Sequence, residues 1–113
     1  MKKENSLKKA KDFQKVIDTR QSVGCKSFVI YYLKNELNYT RVGISSGKRI
    51  GNAVIRNRTK RQVRALIDAT FDMNLSRDYI VVVRNKFLEQ SYENNLKDMN
   101  YLLGKINKNI KEK

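Results

Sequence analysis

The chain is predicted to fold as an α+β sandwich, because three kinds of hydrophobic period alternate along its 113 residues. A helical stripe near the N-terminus gives way to segments of period two. A continuous apolar run then separates two further helical stripes. The resulting order of helix, strands, helix, strand, helix sorts into layers of a single domain, residues 1–113. With 40% hydrophobic residues that domain can bury a modest core.

Ser6 can cap a helix running to about Arg20, with Leu7, Ala10, Phe13 and Ile17 on one stripe and Val16 beside it. From Lys26 to Leu33 the period becomes two: Phe28, Ile30 and Tyr32 face one way and Val29, Tyr31 and Leu33 the other. Both faces are apolar, so both are expected to be covered. After a polar turn, Lys34 to Asn38, the run TRVGIS from Thr40 to Ser45 reads as a returning antiparallel strand. A second helix starts between Asn52 and Arg58 and lasts until about Phe71. The run YIVVV, Tyr79 to Val83, has the composition of a central strand. A final helix from about Glu89 to Ile110 carries Tyr92, Leu96, Met99, Leu103, Ile106 and Ile110 at spacings of four and three, a face that suits packing on a sheet. The last nine residues, 105–113, are expected to fray as a basic tail.

Charge carries the functional signal. The segment from Gly47 to Arg64 places Lys48, Arg49, Arg56, Arg58, Lys60, Arg61 and Arg64 within 18 residues and contains no Asp or Glu. Without carboxylates to bridge, it does not read as an ordinary salt-bridged helix face. Guanidinium forks pair with phosphate oxygens two at a time, which points to nucleic acid. The whole chain agrees: 25 basic against 11 acidic residues give a formal net charge of +14. On a helical wheel Thr59, Val63, Leu66, Ile67 and Thr70 share one side of the second helix. Asn57, Arg58, Arg61 and Arg64 project from the other, and Lys60 sits on the border. Arg56 would aim at the core side of a regular helix. It is therefore placed in the first turn or just before it, where its side chain reaches past the helix end and adds to the anion attraction of the unpaired N–H groups.

Several function classes are disfavoured. Cys25 is the only cysteine and the chain has no histidine, so neither an internal disulfide nor a Cys–His nucleophile can form. Cys25 is expected to be a small half-buried thiol. No apolar stretch approaches the roughly 18 residues a membrane span needs, and MKKENSLKKAKDF lacks the apolar middle of a secretory signal, so a cytoplasmic protein with no membrane partner is expected. Asp68 and Asp72, one turn apart, are the only neighbouring carboxylates available to a protein metal site. Charge balance beside Arg64 is their simpler reading. No HExxH and no glycine-rich phosphate loop occurs, so no protein catalytic residue, no metal site and no small-molecule substrate is expected.

The segment RVGISSGKRIGNAVIRNRTKRQVR, Arg41 to Arg64, closely resembles the signature of the bacterial ribonuclease P protein subunit. That signature reads roughly R-x-G-[IL]-S-V-S-K-K-x-G-N-A-V-x-R-N-R-x-K-R-x-x-R-E. The likeness extends to KKAKDFQKV (Lys8 to Val16), to KSFVIYYL (Lys26 to Leu33) and to DYIVVVR (Asp78 to Arg84). Ser46 and Gly47 stand where the pattern has V-S, and Ala65 where it has an acidic residue, which removes one partner for Arg64.

The resemblance implies an αβββαβα order with a mixed sheet and a left-handed βαβ crossover, similar to domain 2 of ribosomal protein S5. It implies that an RNA subunit, using Mg²⁺, removes the 5′ leader of precursor tRNA, while the protein binds both that catalytic RNA and the single-stranded leader. Carried over residue by residue, contact with the catalytic RNA falls to Arg56, Asn57, Arg58, Lys60, Arg61 and Arg64. The leader cleft falls to Phe13, Ile17, Val29 and Tyr31, with Lys48, Arg49 and Arg84 as basic positions near the RNA path. Two other readings compete with this one: a structural RNA binder of the ribosomal-protein kind, which needs the charge but no apolar trough, and an autonomous protein nuclease built on Asp68 and Asp72.

Overall fold

A computed structural model describes residues 1–111. Its helices are α1 (Ala10–Asp18), α2 (Ala53–Thr70), α3 (Lys86–Glu89) and α4 (Tyr92–Lys111), and its strands are β1 (Ser22–Gly24), β2 (Phe28–Lys34), β3 (Arg41–Ser45) and β4 (Arg77–Val83). The strands form one mixed sheet in the order β1-β2-β4-β3. The most apolar strand, β4, takes an inner place, antiparallel to β2 with Ile30 opposite Val81 and parallel to β3 with Gly43 opposite Ile80. Helix α2 is the crossover between the parallel pair.

The alternation of β2 sends its two faces into two cores, as its sequence requires. Phe28, Ile30 and Tyr32 join Tyr79, Val81 and Val83 of β4 against Val63, Leu66 and Ile67 of α2 and Met99, Leu102 and Ile106 of α4. On the opposite face Leu7, Val16 and Ile80 are buried, with Phe13, Ile17, Tyr31, Leu33 and Val82 packed half-buried around them.

The expected antiparallel pairing of the Thr40–Ser45 segment with the preceding strand does not occur. The two run in opposite directions, but β4 lies between them, because its both-sided apolar surface needs two neighbours and two covering layers. The first helix is shorter than its stripe suggested. Ser6 bridges Val42 and Leu7 donates its N–H to Val42 at 3.0 Å, so this segment is extended and the helix begins at Ala10. Leu7 is thus buried from outside the helix, Ala10 is exposed, and Val16 is the fully buried centre of the stripe. The helix stops where the Thr19 hydroxyl donates to the Val16 carbonyl and Arg20 turns left-handed at φ 57°.

The final helix is divided. The α3 turn ends at Gln90, and α4 starts with Tyr92 exposed, contrary to its place on the expected stripe. Helix α4 continues to Lys111, so residues 105–111 of the predicted frayed tail are helical, while residues 112 and 113 lie outside the described residues. Strand β1, three residues long and too short to show a period in the sequence, pairs Ser22 with Tyr31 and Gly24 with Val29.

Burial pushes the Tyr79 hydroxyl above its ordinary pKa, opposed by a hydrogen bond from Arg77 at 3.0 Å. A group with a raised folded-state pKa contributes stability that is complete below its unfolded value, about 10 for tyrosine, and is lost as pH rises toward the folded value. The denaturation midpoint is therefore expected to fall between about pH 9 and pH 11, and Tyr79→Phe to reduce the fall.

Candidate nucleic-acid interface

Strand β3 leads into α2 through Gly47, a 3₁₀ turn Lys48–Ile50, and Gly51. Gly51 has φ +145°, and a Cβ there would meet three Ile55 side-chain atoms at 3.0 Å, so the sharp entry requires glycine. Asn52 then caps the helix by accepting the Ile55 N–H at 3.0 Å. Asn52→Ala is expected to cost about 1 kcal/mol in urea unfolding. The first turn holds no acidic residue, which leaves the positive end of an 18-residue helix without a side-chain counter-charge.

Because Thr59, Val63, Leu66 and Ile67 are drawn into the core, the opposite face of α2 must project outward. Asn57, Arg58, Arg61 and Arg64 are exposed, and Arg56 and Lys60 are half-buried. Arg56 sits in the first turn, where its Nη1 reaches back toward the Gly51 carbonyl at 3.4 Å. Among the described residues, no carboxylate lies within 4 Å of any of these cations. Asp68 lies 2.7 Å from the Met1 amino group and, among the described residues, forms no ion pair with Arg64, and Asp72 accepts the Asn74 N–H in the turn after the helix. No three His, Cys, Asp or Glu side chains come together among the described residues.

On the sheet face under α1, the half-buried Phe13, Ile17 and Tyr31 share one surface. Val29 lies on the same side of β2, opposite Val82 in the register. Phe13 is seated over Gly43, where any Cβ would come within 2.8 Å of its ring. Arg41 fixes this layer: Nη2 and Nε donate to Asp78 at 2.6 and 2.9 Å, and Nη1 reaches Asp12 of α1 at 3.3 Å. The Asp78 hydrogen bond, more than partial burial opposes it, holds the Arg41 pKa above its ordinary value.

The third part is a crevice of about 710 Å³ at the carboxyl ends of β3 and β4. It brings Arg49 and Arg84 together with Lys26 and Lys86 and, among the described residues, has no carboxylate in its lining. Lys48 lies on the turn beside it, with its side chain outside the described residues. Cys25, a half-buried thiol as expected, gives its carbonyl to Arg84 Nη1 at 3.1 Å. Val82 belongs both to this lining and to the apolar surface under α1, so the two are continuous. Lys26 and Lys86 were missed from the sequence because only the pairing of Phe28 with Val83 brings the start of β2 beside the end of β4.

A four-stranded mixed sheet with helices on both faces, bearing an arginine surface and a cationic crevice with no carboxylate among the described residues, defines a small basic α+β protein whose exposed charge suits a polyanion. A family model described as Ribonuclease P matches residues 1–107. The chain belongs to the ribonuclease P protein family, whose work is the 5′ processing of tRNA. It is 41% identical over 113 residues to the ribonuclease P protein component of Mycoplasma capricolum, covering 98% of this chain and 100% of that one. With the component from Mesoplasma florum it shares 39% over 105 residues, 91% of this chain and 96% of the other. The structure of the Staphylococcus aureus RNase P protein superposes with a TM-score of 0.78 at 32% identity, over 88% of this chain and 93% of that one. That from Thermotoga maritima does so with 0.73 at 26%, over 86% and 94%.

Proposed function

We propose that this chain is the protein cofactor of an RNA-based endoribonuclease, gripping the catalytic RNA with one surface and the 5′ leader of precursor tRNA with another. Arg56, Asn57, Arg58, Lys60, Arg61 and Arg64 contact phosphates of the ribonuclease P RNA. The leader lies along Phe13, Ile17, Val29 and Tyr31 and continues to Lys48, Arg49 and Arg84. The bond is broken by the RNA subunit with Mg²⁺, and the protein supplies no catalytic group and binds no metal. The observation that carries this reading is the continuity at Val82 between a partly exposed apolar surface and a cationic crevice. Unpaired nucleotides need both, since their bases stack on apolar and aromatic groups while their phosphates need cations. Stacking tolerates any base, which suits leaders of varied sequence.

The test is reconstitution. Mixed with a bacterial ribonuclease P RNA at low Mg²⁺, the chain is expected to rescue cleavage of precursor tRNA, and the assembled particle to bind precursor more tightly than mature tRNA. Equal affinity for the two would leave only a structural RNA binder. Asp68→Ala combined with Asp72→Ala is expected to leave processing unchanged; loss of cleavage would revive a protein nuclease.

A further inference from the structure

A separate hollow of about 270 Å³ opens between α2, α3 and the start of α4. Its floor is apolar, made by Ile55, Leu66 and Phe87. Its rim carries two large, exposed apolar side chains, Tyr92 at 53% and Leu88 at 45% exposure. Among the described residues, Arg58 is the only charged one in the lining.

One polar group of this hollow, the Gln90 amide, is held in one orientation. The Gln90 side-chain Nε2 donates to Asn95 Oδ1 at 2.7 Å and to Asp98 Oδ2 at 3.0 Å. Asn95 is buried and donates to the Phe87 carbonyl, and Asp98 also accepts from the Ser27 hydroxyl at 2.6 Å. A carboxylate only accepts, so the Gln90 amide nitrogen must face it, and among the described residues no side-chain donor reaches Oε1.

We infer that this hollow receives one unstacked nucleobase of the RNA whose phosphates the α2 arginines hold, and the inference rests on that reading. The dimensions fit a single heterocycle, lying just below the range of about 300–1,000 Å³ that holds drug-sized ligands. Tyr92 offers a ring to stack on, Gln90 Oε1 an acceptor for an exocyclic amine or ring N–H, and Arg58 a fork for the adjoining phosphate. A lining that holds a cation and, among the described residues, no carboxylate favours an anionic nucleotide over a basic peptide.

Affinity for a bacterial ribonuclease P RNA, measured across a series of salt concentrations with the full chain, tests this. Tyr92→Ala is expected to weaken binding about tenfold at every salt concentration, leaving the slope of log K against log salt unchanged, because stacking releases no counterions. Tyr92→Phe should bind within about threefold of the parent chain, since its ring still stacks. Arg58→Ala should instead flatten the slope. If Tyr92→Ala and Leu88→Ala, both shown folded by circular dichroism, bind like the parent while Arg58→Ala flattens the slope, the base pocket is refuted and the phosphate contacts stand. If no variant alters binding, both readings fall. Loss of self-association in Tyr92→Ala, with RNA binding intact, would assign the hollow to a second copy of the chain and overturn the inference.

Discussion

Arg41→Met is expected to remove about 3–5 kcal/mol of stability, a large part of the roughly 5–15 kcal/mol that holds a domain of this size folded. The Asp78 carboxylate is 4% exposed and receives two guanidinium N–H groups and one from Asn35 Nδ2 at 2.8 Å. Deleting the guanidinium leaves a buried charge with a single amide donor, and that unpaired charge accounts for most of the loss. The contact with Asp12, longer and more exposed, adds little energy but ties α1 to the sheet. Urea unfolding should show the drop, and hydrogen exchange should show α1 amides opening sooner than those of β4. In the double variant Arg41→Met, Asp78→Asn, most of the stability should return, since neither charge remains. A double variant as unstable as the single one would mean that the guanidinium contributes mainly through packing.

Replacing Arg58, Arg61 and Arg64 together by alanine is expected to abolish tight association with the RNA subunit at physiological salt while leaving the fold intact. All three are exposed and none has a carboxylate within 4 Å among the described residues, so the folded protein gives up no ion pair by their removal. Removing one phosphate-binding cation takes about 0.7–0.9 from the slope of log K against log salt, so the triple variant should flatten it by about 2.1–2.7 units. The unfolding midpoint should not fall, because like charges crowded on one helix repel. A triple variant with the parent slope would show that the RNA lies elsewhere.

Much of this organisation was legible because it depends on local periods. The partition of α2 into a Thr59–Ile67 core stripe and an arginine face follows from 3.6-residue spacing, as does the first-turn position of Arg56, whereas the helix start was open between Asn52 and Arg58 until the Asn52 cap fixed it. The two-faced character of β2 follows from strict alternation. What could not be read was set by distant pairing. Ser6 looks like a helix cap until Val42 is available as a strand partner. TRVGIS looks like the second arm of a hairpin until β4 is inserted. Lys26 and Lys86 look like ordinary surface lysines, 60 positions apart in the chain, until the β2–β4 register folds them around one crevice. Tyr92 sits on a plausible apolar stripe, yet as the first residue of α4 it is exposed.

The bridge between Ser6 and Val42 has a consequence for how the chain behaves alone. Strand β3 has β4 on one flank only, and an open flank of backbone donors and acceptors is a template for strands of other molecules. The Ser6–Leu7 segment occupies part of that flank and Lys8 and Lys9 follow it immediately. A chain shortened past Leu7 would present bare backbone at Val42, and its aggregation in the absence of RNA should rise most steeply at high salt, where charge repulsion no longer keeps molecules apart.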